Sequence, residues 1–180
     1  MACISKLANA ISYDCDSGAT GLVSALIINK SDIASYSVDT TGIATVALRA
    51  GASAYKIDTV KRTLVLSSAL KVNDGAPNAH THTATITVTT TALSGSLFAQ
   101  RNALTNGTFV ILARAAGNPG GYVGVYGLYY GLSATGMDMS SHDNAGWATV
   151  TLETPENVIG EDPCLMTSTA YDALYAAAVG

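Results

Sequence analysis

Acid–base, metal or thiol chemistry in this 180-residue chain would have to come from three histidines, thirteen acids and three cysteines. His80-Thr81-His82 places two imidazoles on one face of an extended segment, because side chains two apart along a strand share a face. Two imidazoles fill two positions on a zinc ion, and a zinc site takes at least three protein ligands. The third histidine, His142, and its neighbour Asp143 lie far away in the sequence. His80 and His82 are therefore weak metal candidates that read as polar residues at the tip of a hairpin. No metal and no other cofactor is expected.

The remaining motifs fail on context. Gly117-Asn-Pro-Gly-Gly-Tyr-Val-Gly124 has the glycines of a phosphate loop, but such loops need a helix N-terminus behind them. Here an alternating run, Tyr122 to Tyr130, follows, and no lysine accompanies it. Gly131-Leu-Ser133-Ala-Thr-Gly136 lacks the spacing of a nucleophile elbow. Asp138, His142 and Asp143 share a serine-rich loop without a third member. Glu153 and Glu156 flank Pro155, where charge at a strand end discourages wrong pairing. Cys3, Cys15 and Cys164 are odd in number and have no Cys-x-x-Cys spacing, which argues free thiols rather than a disulfide framework, with a Cys3–Cys15 pair left open. Tyr122, Tyr126, Tyr129 and Tyr130 would suit base stacking, but that use needs a basic groove, and no Lys or Arg follows Arg114. No catalytic residue is assigned, and an enzyme is not expected.

The elements that would carry these residues are mostly strands. Thr81, Thr83, Thr85, Thr87, Thr89 and Thr91 alternate with His82, Ala84, Ile86 and Val88, the period of two that marks a strand with one hydroxyl face. Val60–Val72 is a second β-prone run, and Asn73-Asp-Gly-Ala-Pro-Asn78 between them is turn-rich. The pair predicts a long β-hairpin, with arms of about a dozen residues or roughly 40 Å. Ala84, Ile86 and Val88 should pack against protein. Further short runs (Ile4–Tyr13, Gly21–Asn29, Tyr36–Asp39, Ile43–Arg49, Ala54–Asp58, Gly107–Ala115, Gly121–Leu132, Gly146–Thr154) predict a mainly β chain, an antiparallel sandwich or barrel. One internal helix is predicted over about 92–105, with Leu93, Leu97, Arg101 and Leu104 on one stripe and Asn106-Gly107 ending it in left-handed fashion. A second, Ser168–Val179, is lined by Tyr171, Leu174 and Tyr175. Residues 1–156 form one β domain, and 157–180 form a C-terminal arm that carries this helix away from it.

Hydrophobic residues are 48% and charged residues 12% of the chain, about half the usual charged share. No apolar run reaches the length of a membrane span, and a signal peptide is not expected. Few charges and much small-polar surface point to a surface hidden in an assembly. Nine basic residues and six acids precede residue 115, and seven acids with no base follow it. If the fold separates them, head-to-tail contacts between copies are oriented by charge. Lys61, Arg62, Glu153, Glu156, Glu161 and Asp162 are the candidate contact residues.

Between residues 60 and 156 the chain resembles the tail tube (major tail) proteins of tailed bacteriophages. The likeness is carried by the long hairpin, the helix, Asn106-Gly107-Thr-Phe-Val-Ile-Leu-Ala-Arg114, and a glycine-rich stretch through Gly131 and Gly136. Asn144-Ala-Gly-Trp147 and Ala148-Thr-Val-Thr-Leu-Glu-Thr-Pro-Glu156 complete it. The opening Met-Ala-Cys3 and the Cys15-Asp-Ser-Gly18 turn are similar to some members; 157–180 run past the family's minimal pattern. The resemblance implies a virion structural protein, made in the host cytoplasm, that forms hexameric rings stacked into a channel for DNA. Its partners would be itself, tape-measure and tail-terminator or baseplate proteins, and passing duplex DNA, with no membrane. The face Thr81, Thr83, Thr85, Thr87 and Thr89 would then line the lumen or a subunit seam. The alternatives are a capsid-accessory or head–tail joining virion protein, and a carbohydrate- or cell-binding sandwich module using Tyr122, Tyr126 and Trp147.

Overall fold

A computed structural model describes residues 21–57, 59, 64–71, 79–88, 95–117, 121–139, 148–155 and 161–180. The fold is organised by two paired strands, β1 (Leu22–Asn29) and β7 (Thr108–Ala115), which run antiparallel. Both are rich in Val, Ile, Leu and Ala, as strands covered on both faces must be. Phe109, Ile111 and Ala113 of β7 enter one core together with Ala25 of β1. Val110 and Leu112, on the other face, enter a second core with Leu26 and Ile28. Each fully buried Leu or Ile here stabilises the chain by about 1.5–3 kcal/mol.

The second core is closed by a separate two-stranded sheet, β2 (Ile33–Val38) with β3 (Ala44–Leu48), and by the C-terminal residues. The first core is closed by the hairpin β5 (Leu64–Lys71) and β6 (Ala79–Val88), by β9 (Leu132–Met139) and β10 (Ala148–Glu153), and by Leu104 of α1 (Gly95–Asn106). The main sheet adds β4 (Tyr55–Ile57) beside β1, β8 (Tyr122–Tyr126) beside β7, and β11 (Cys164–Thr167) beside β8. Every strand pairing in the two sheets is antiparallel. The chain is mainly β and sandwich-like with two helices, as the sequence predicts.

Several boundaries differ from the expectation. The hairpin arms hold eight and ten residues, about 27 and 34 Å at about 3.4 Å per residue; positions 60–63, 72–78 and 89–91 of the expected arms lie outside the described residues. The predicted strand Ile4–Tyr13 does too. Gly121–Leu132 is two strands, because the turn 127–131 interrupts it, and the serine-rich stretch after Gly131 is strand β9 as far as Met139. Gly107 ends α1 without left-handed backbone. It is needed for space, since a Cβ there would lie 2.3 Å from the Phe109 ring.

The largest correction concerns the C-terminus. Residues 161–180 do not lead away from the domain. Cys164 and Met166 of β11 and Tyr171 of α2 (Ser168–Ala177) are core residues. Leu174 and Tyr175 pack beside them, and Val179 bridges to Tyr55 of β4. Thr167 caps α2 by accepting from the Ala170 amide, as its position before Ser168 suggests.

Two left-handed glycines separate a conformational cost from a packing cost. Gly42 (φ +82) faces open space, whereas a Cβ at Gly127 (φ +76) would lie 2.7 Å from Leu132 Cγ and 3.1 Å from the Leu132 nitrogen and Phe109 oxygen. Gly42→Ala should lower stability by about 1–2 kcal/mol, the left-handed penalty alone. Gly127→Ala should lose about 1–3 kcal/mol more, because backbone atoms cannot step aside. Urea denaturation of the two variants checks the difference.

Candidate functional site

The threonine strand β6 pairs with β5 on one side and β10 on the other, and directly opposed residues share a face. Thr85 stands opposite Thr151 and Val65, and Thr83 opposite Glu153 and Ser67. Thr81 stands opposite Ala69, and Thr87 opposite Thr149. The stripe seen in β6 is thus doubled by β10. Thr81, Thr83, Thr85, Thr149 and Thr151 are all half-buried; Thr89 lies outside the described residues. Among the described residues the charges that register places on this face are Glu153 and, on β9, Asp138 opposite Thr149.

β10 accompanies β6 only as far as Glu153 opposite Thr83, after which Thr154 clasps His82. The Thr154 amide donates to the His82 carbonyl at 3.0 Å, and the His82 amide donates to Thr154 Oγ1 at 2.9 Å. Beyond this clasp, among the described residues, Ala79–Thr81 pairs with Ala69–Lys71 alone, a projection of about 10 Å. Leu70 is 54% exposed there. Among the described residues the outer edge of β5 has no strand partner.

On the opposite face of β6, Ala84 and Ile86 are buried in the first core, as expected of them. His82 continues that face and is only 1% exposed. Its ring meets the Tyr126 ring edge-on at 5.5 Å between centroids. Burial holds its pKa below the usual histidine value, against the raising influence of the Glu161 carbonyl and the Asp162 carboxylate. His80 is half-buried on the same face. No group of three or more His, Cys, Asp or Glu that could hold a metal occurs among the described residues.

Glu161 is fully buried. Its two carboxylate oxygens accept the amides of Tyr129 (3.2 Å) and Tyr130 (2.8 Å) in the turn after β8. Lys30, after β1, donates its Nζ to the Leu128 carbonyl of the same turn and covers the Tyr36 ring at 4.5 Å. Burial raises the Glu161 pKa, and the two amides and Lys30 oppose the rise. Burial lowers the Lys30 pKa, with Glu161 acting against it. Cys164 is buried and free, and its thiol donates to the Asp162 carbonyl at 3.3 Å.

Glu161 serves its own chain and is withdrawn as an exposed contact. Asp162 and Glu153 are half-buried, and Lys61, Arg62 and Glu156 lie outside the described residues. The lopsided charge is partly reconciled inside the molecule: Arg114 pairs with Asp172 at 2.7 Å while its guanidinium covers the Tyr171 ring. Sequence reasoning offered Glu161 as a surface contact and missed Lys30, because no local pattern marks their joint place at this turn. His82, expected as a polar residue at the hairpin tip, is instead buried on the face of Ala84 and Ile86, whose period it shares.

A groove of about 400 Å³ opens between the starts of β1 and β5, lined by Gly21, Leu22, Thr59, Leu64, Val65, Leu66 and Tyr126. Its lining offers a phenol and a hydroxyl but no carboxylate, imidazole or thiol. Asp138 is on β9, while Cys3, Cys15, His142, Asp143 and Trp147 lie outside the described residues. Tyr122 is exposed, but Tyr126 is engaged with His82 and Tyr129 with Tyr36, so these rings form no shared platform. No described helix is long and apolar enough to cross a membrane.

Glu161→Ala should cost about 2–4 kcal/mol, because two amides lose a charged acceptor. Glu161→Gln should differ from wild type in its pH dependence. A carboxyl whose pKa is raised on folding stabilises fully below its unfolded value of 4.5 and loses that contribution as pH rises through the folded value. The stability of Glu161→Gln relative to wild type should therefore grow with pH above about 4.5 and then level off, as chemical denaturation across pH would record.

No family model, no curated protein and no solved structure matches the chain.

Proposed function

We propose that the chain is a virion structural protein that assembles into stacked six-membered rings forming a phage tail tube through which DNA passes. The observation that carries this reading is the hydroxyl face shared by β6 and β10, which holds threonine without a basic residue between Thr81 and Thr151. A wall that duplex DNA must slide along has to be wetted without gripping phosphates, and cations would bind them. Hydroxyls meet both needs. The projecting hairpin and the unpartnered outer edge of β5 give a neighbouring copy something to pair with, since a free strand edge is a template for another chain. Tape-measure and tail-terminator or baseplate proteins are the further partners of such a tube.

Negative-stain or cryo-electron microscopy of the purified chain at high concentration should show rings or tubes with an open centre. Monomers alone would overturn the reading. Replacing Thr83 and Thr85 by lysine should leave the tubes assembled and make them retain duplex DNA. That retention should weaken with salt, with a log–log slope of about −0.9 per added phosphate contact. Loss of tubes in this variant, with circular dichroism unchanged, would move the threonine face from the lumen to a subunit seam.

A further inference from the structure

His82 stands at a joint where three pieces of the chain meet. It belongs to the hairpin, its backbone is clasped by Thr154 beyond β10, and its ring lies against Tyr126 of β8 near the 161–162 segment. The residue is 1% exposed, and among the described residues neither ring nitrogen has a hydrogen-bond partner. A neutral imidazole always carries one N–H, so the joint already bears one unsatisfied buried donor, which most folded chains avoid.

We propose that His82 is an acid-sensitive pin: when its imidazole takes up a proton, the ring leaves the joint and the projecting hairpin separates from the 161–162 segment. The groups around it decide the direction. On its own strand His80 repels a second positive charge. From β5 the opposed residue is Ser68, and from beyond β10 it is Thr154; neither is charged. From β8 comes the Tyr126 ring. The Glu161 carbonyl and the Asp162 carboxylate attract a charged ring, but neither completes a hydrogen bond with it. The Glu161 carboxylate is already occupied by the Tyr129 and Tyr130 amides. An imidazolium would need acceptors for two N–H groups as well as a counter-charge. Asp162 supplies a counter-charge, but neither ring nitrogen has an acceptor in hydrogen-bond geometry without movement of the hairpin or of 161–162, and a buried N–H left unsatisfied on a charged ring is strongly unfavourable.

The sign follows from linkage. A histidine whose pKa is lowered on folding stabilises the closed form above its unfolded value of 6.5 and loses that contribution as pH falls through the folded value. Opening that exposes the ring takes up one proton, so its equilibrium constant should rise about tenfold per pH unit below 6.5 until the folded value is reached. The device concerns the chain's own joint and holds whether or not the chain forms rings.

Hydrogen exchange of the full chain, corrected for intrinsic rates and followed from about pH 7.5 to about pH 5, tests it. In wild type, protection across 79–88 and 161–167 should fall together at that slope. His82→Phe keeps a ring against Tyr126 and cannot take up a proton, so its protection should stay flat, while His80→Phe, which removes only the neighbouring repulsion, should keep a pH-dependent fall. Flat protection in wild type overturns the proposal, as does an unchanged fall in His82→Phe or a fall abolished by His80→Phe. Should His82→Phe not fold, the wild-type histidine ring signals followed by NMR decide. An imidazole titrating below 6.5 over the range in which protection is lost supports the pin, and one titrating at 6.5 or above overturns it.

Discussion

The fold rests on one constraint: β1 and β7 form a ladder whose two faces both carry apolar side chains. Phe109, Ile111 and Ala113 cannot be covered by whatever covers Val110 and Leu112, because alternate side chains of a strand point in opposite directions. Two covers are required. The hairpin with β9, β10 and α1 supplies one; β2, β3, β8, β11 and α2 supply the other. Losing either cover exposes a set of Ile, Leu and Val to water, so the two cores are coupled through the same pair of strands.

This explains why the C-terminal residues are drawn in. An antiparallel sheet covered on one side leaves its other face to water, and here that face is too apolar for solvent. Cys164, Met166 and Tyr171 fill it. The connection that delivers them must pass the turn after β8, whose Tyr129 and Tyr130 amides need acceptors. A carboxylate is a strong one, and Glu161 reaches both amides at once. The cost of burying its charge is offset in part by those bonds and by Lys30 nearby. The acid-rich end of the chain thereby spends Glu161 and Asp172 within its own fold, which leaves less charge to orient contacts between copies.

What the sequence discloses and what it hides follow the same physics. Period two in β6 makes its polar and apolar faces legible, but the burial of His82 is missed, because its type argues for the surface although its period joins it to Ala84 and Ile86. The unbroken run Phe109-Val-Ile-Leu-Ala113 reads as a strand buried on both faces. α2 is visible through its Thr167 cap and the spacing of Tyr171, Leu174 and Tyr175. The strand after Gly131 is hidden because Ser133, Thr135, Gly136 and Asp138 carry no apolar alternation; pairing with β10 and β7 makes it a strand, and pairing is non-local. β11 is four residues between Pro163 and a helix, too short for a period to show. Glu161 is the hardest case, since its partners are backbone amides about thirty residues away.

The two faces of the hairpin have different claims on the rest of the molecule. Leu64, Ala84 and Ile86 are needed by the core and fix the register, because a slip of one residue would exchange the faces. The threonines on the other face are free of that duty, yet they are neither charged nor strongly apolar. Charge would suit a surface meant only to stay in water, and leucine or isoleucine would suit a dry interface. Threonine combines a β-favouring branch at Cβ with a hydroxyl that water can reach. The repeat across β6 and β10, at Thr85 with Thr151 and Thr87 with Thr149, therefore fits a sheet whose polar face must be stiff, wetted and neutral.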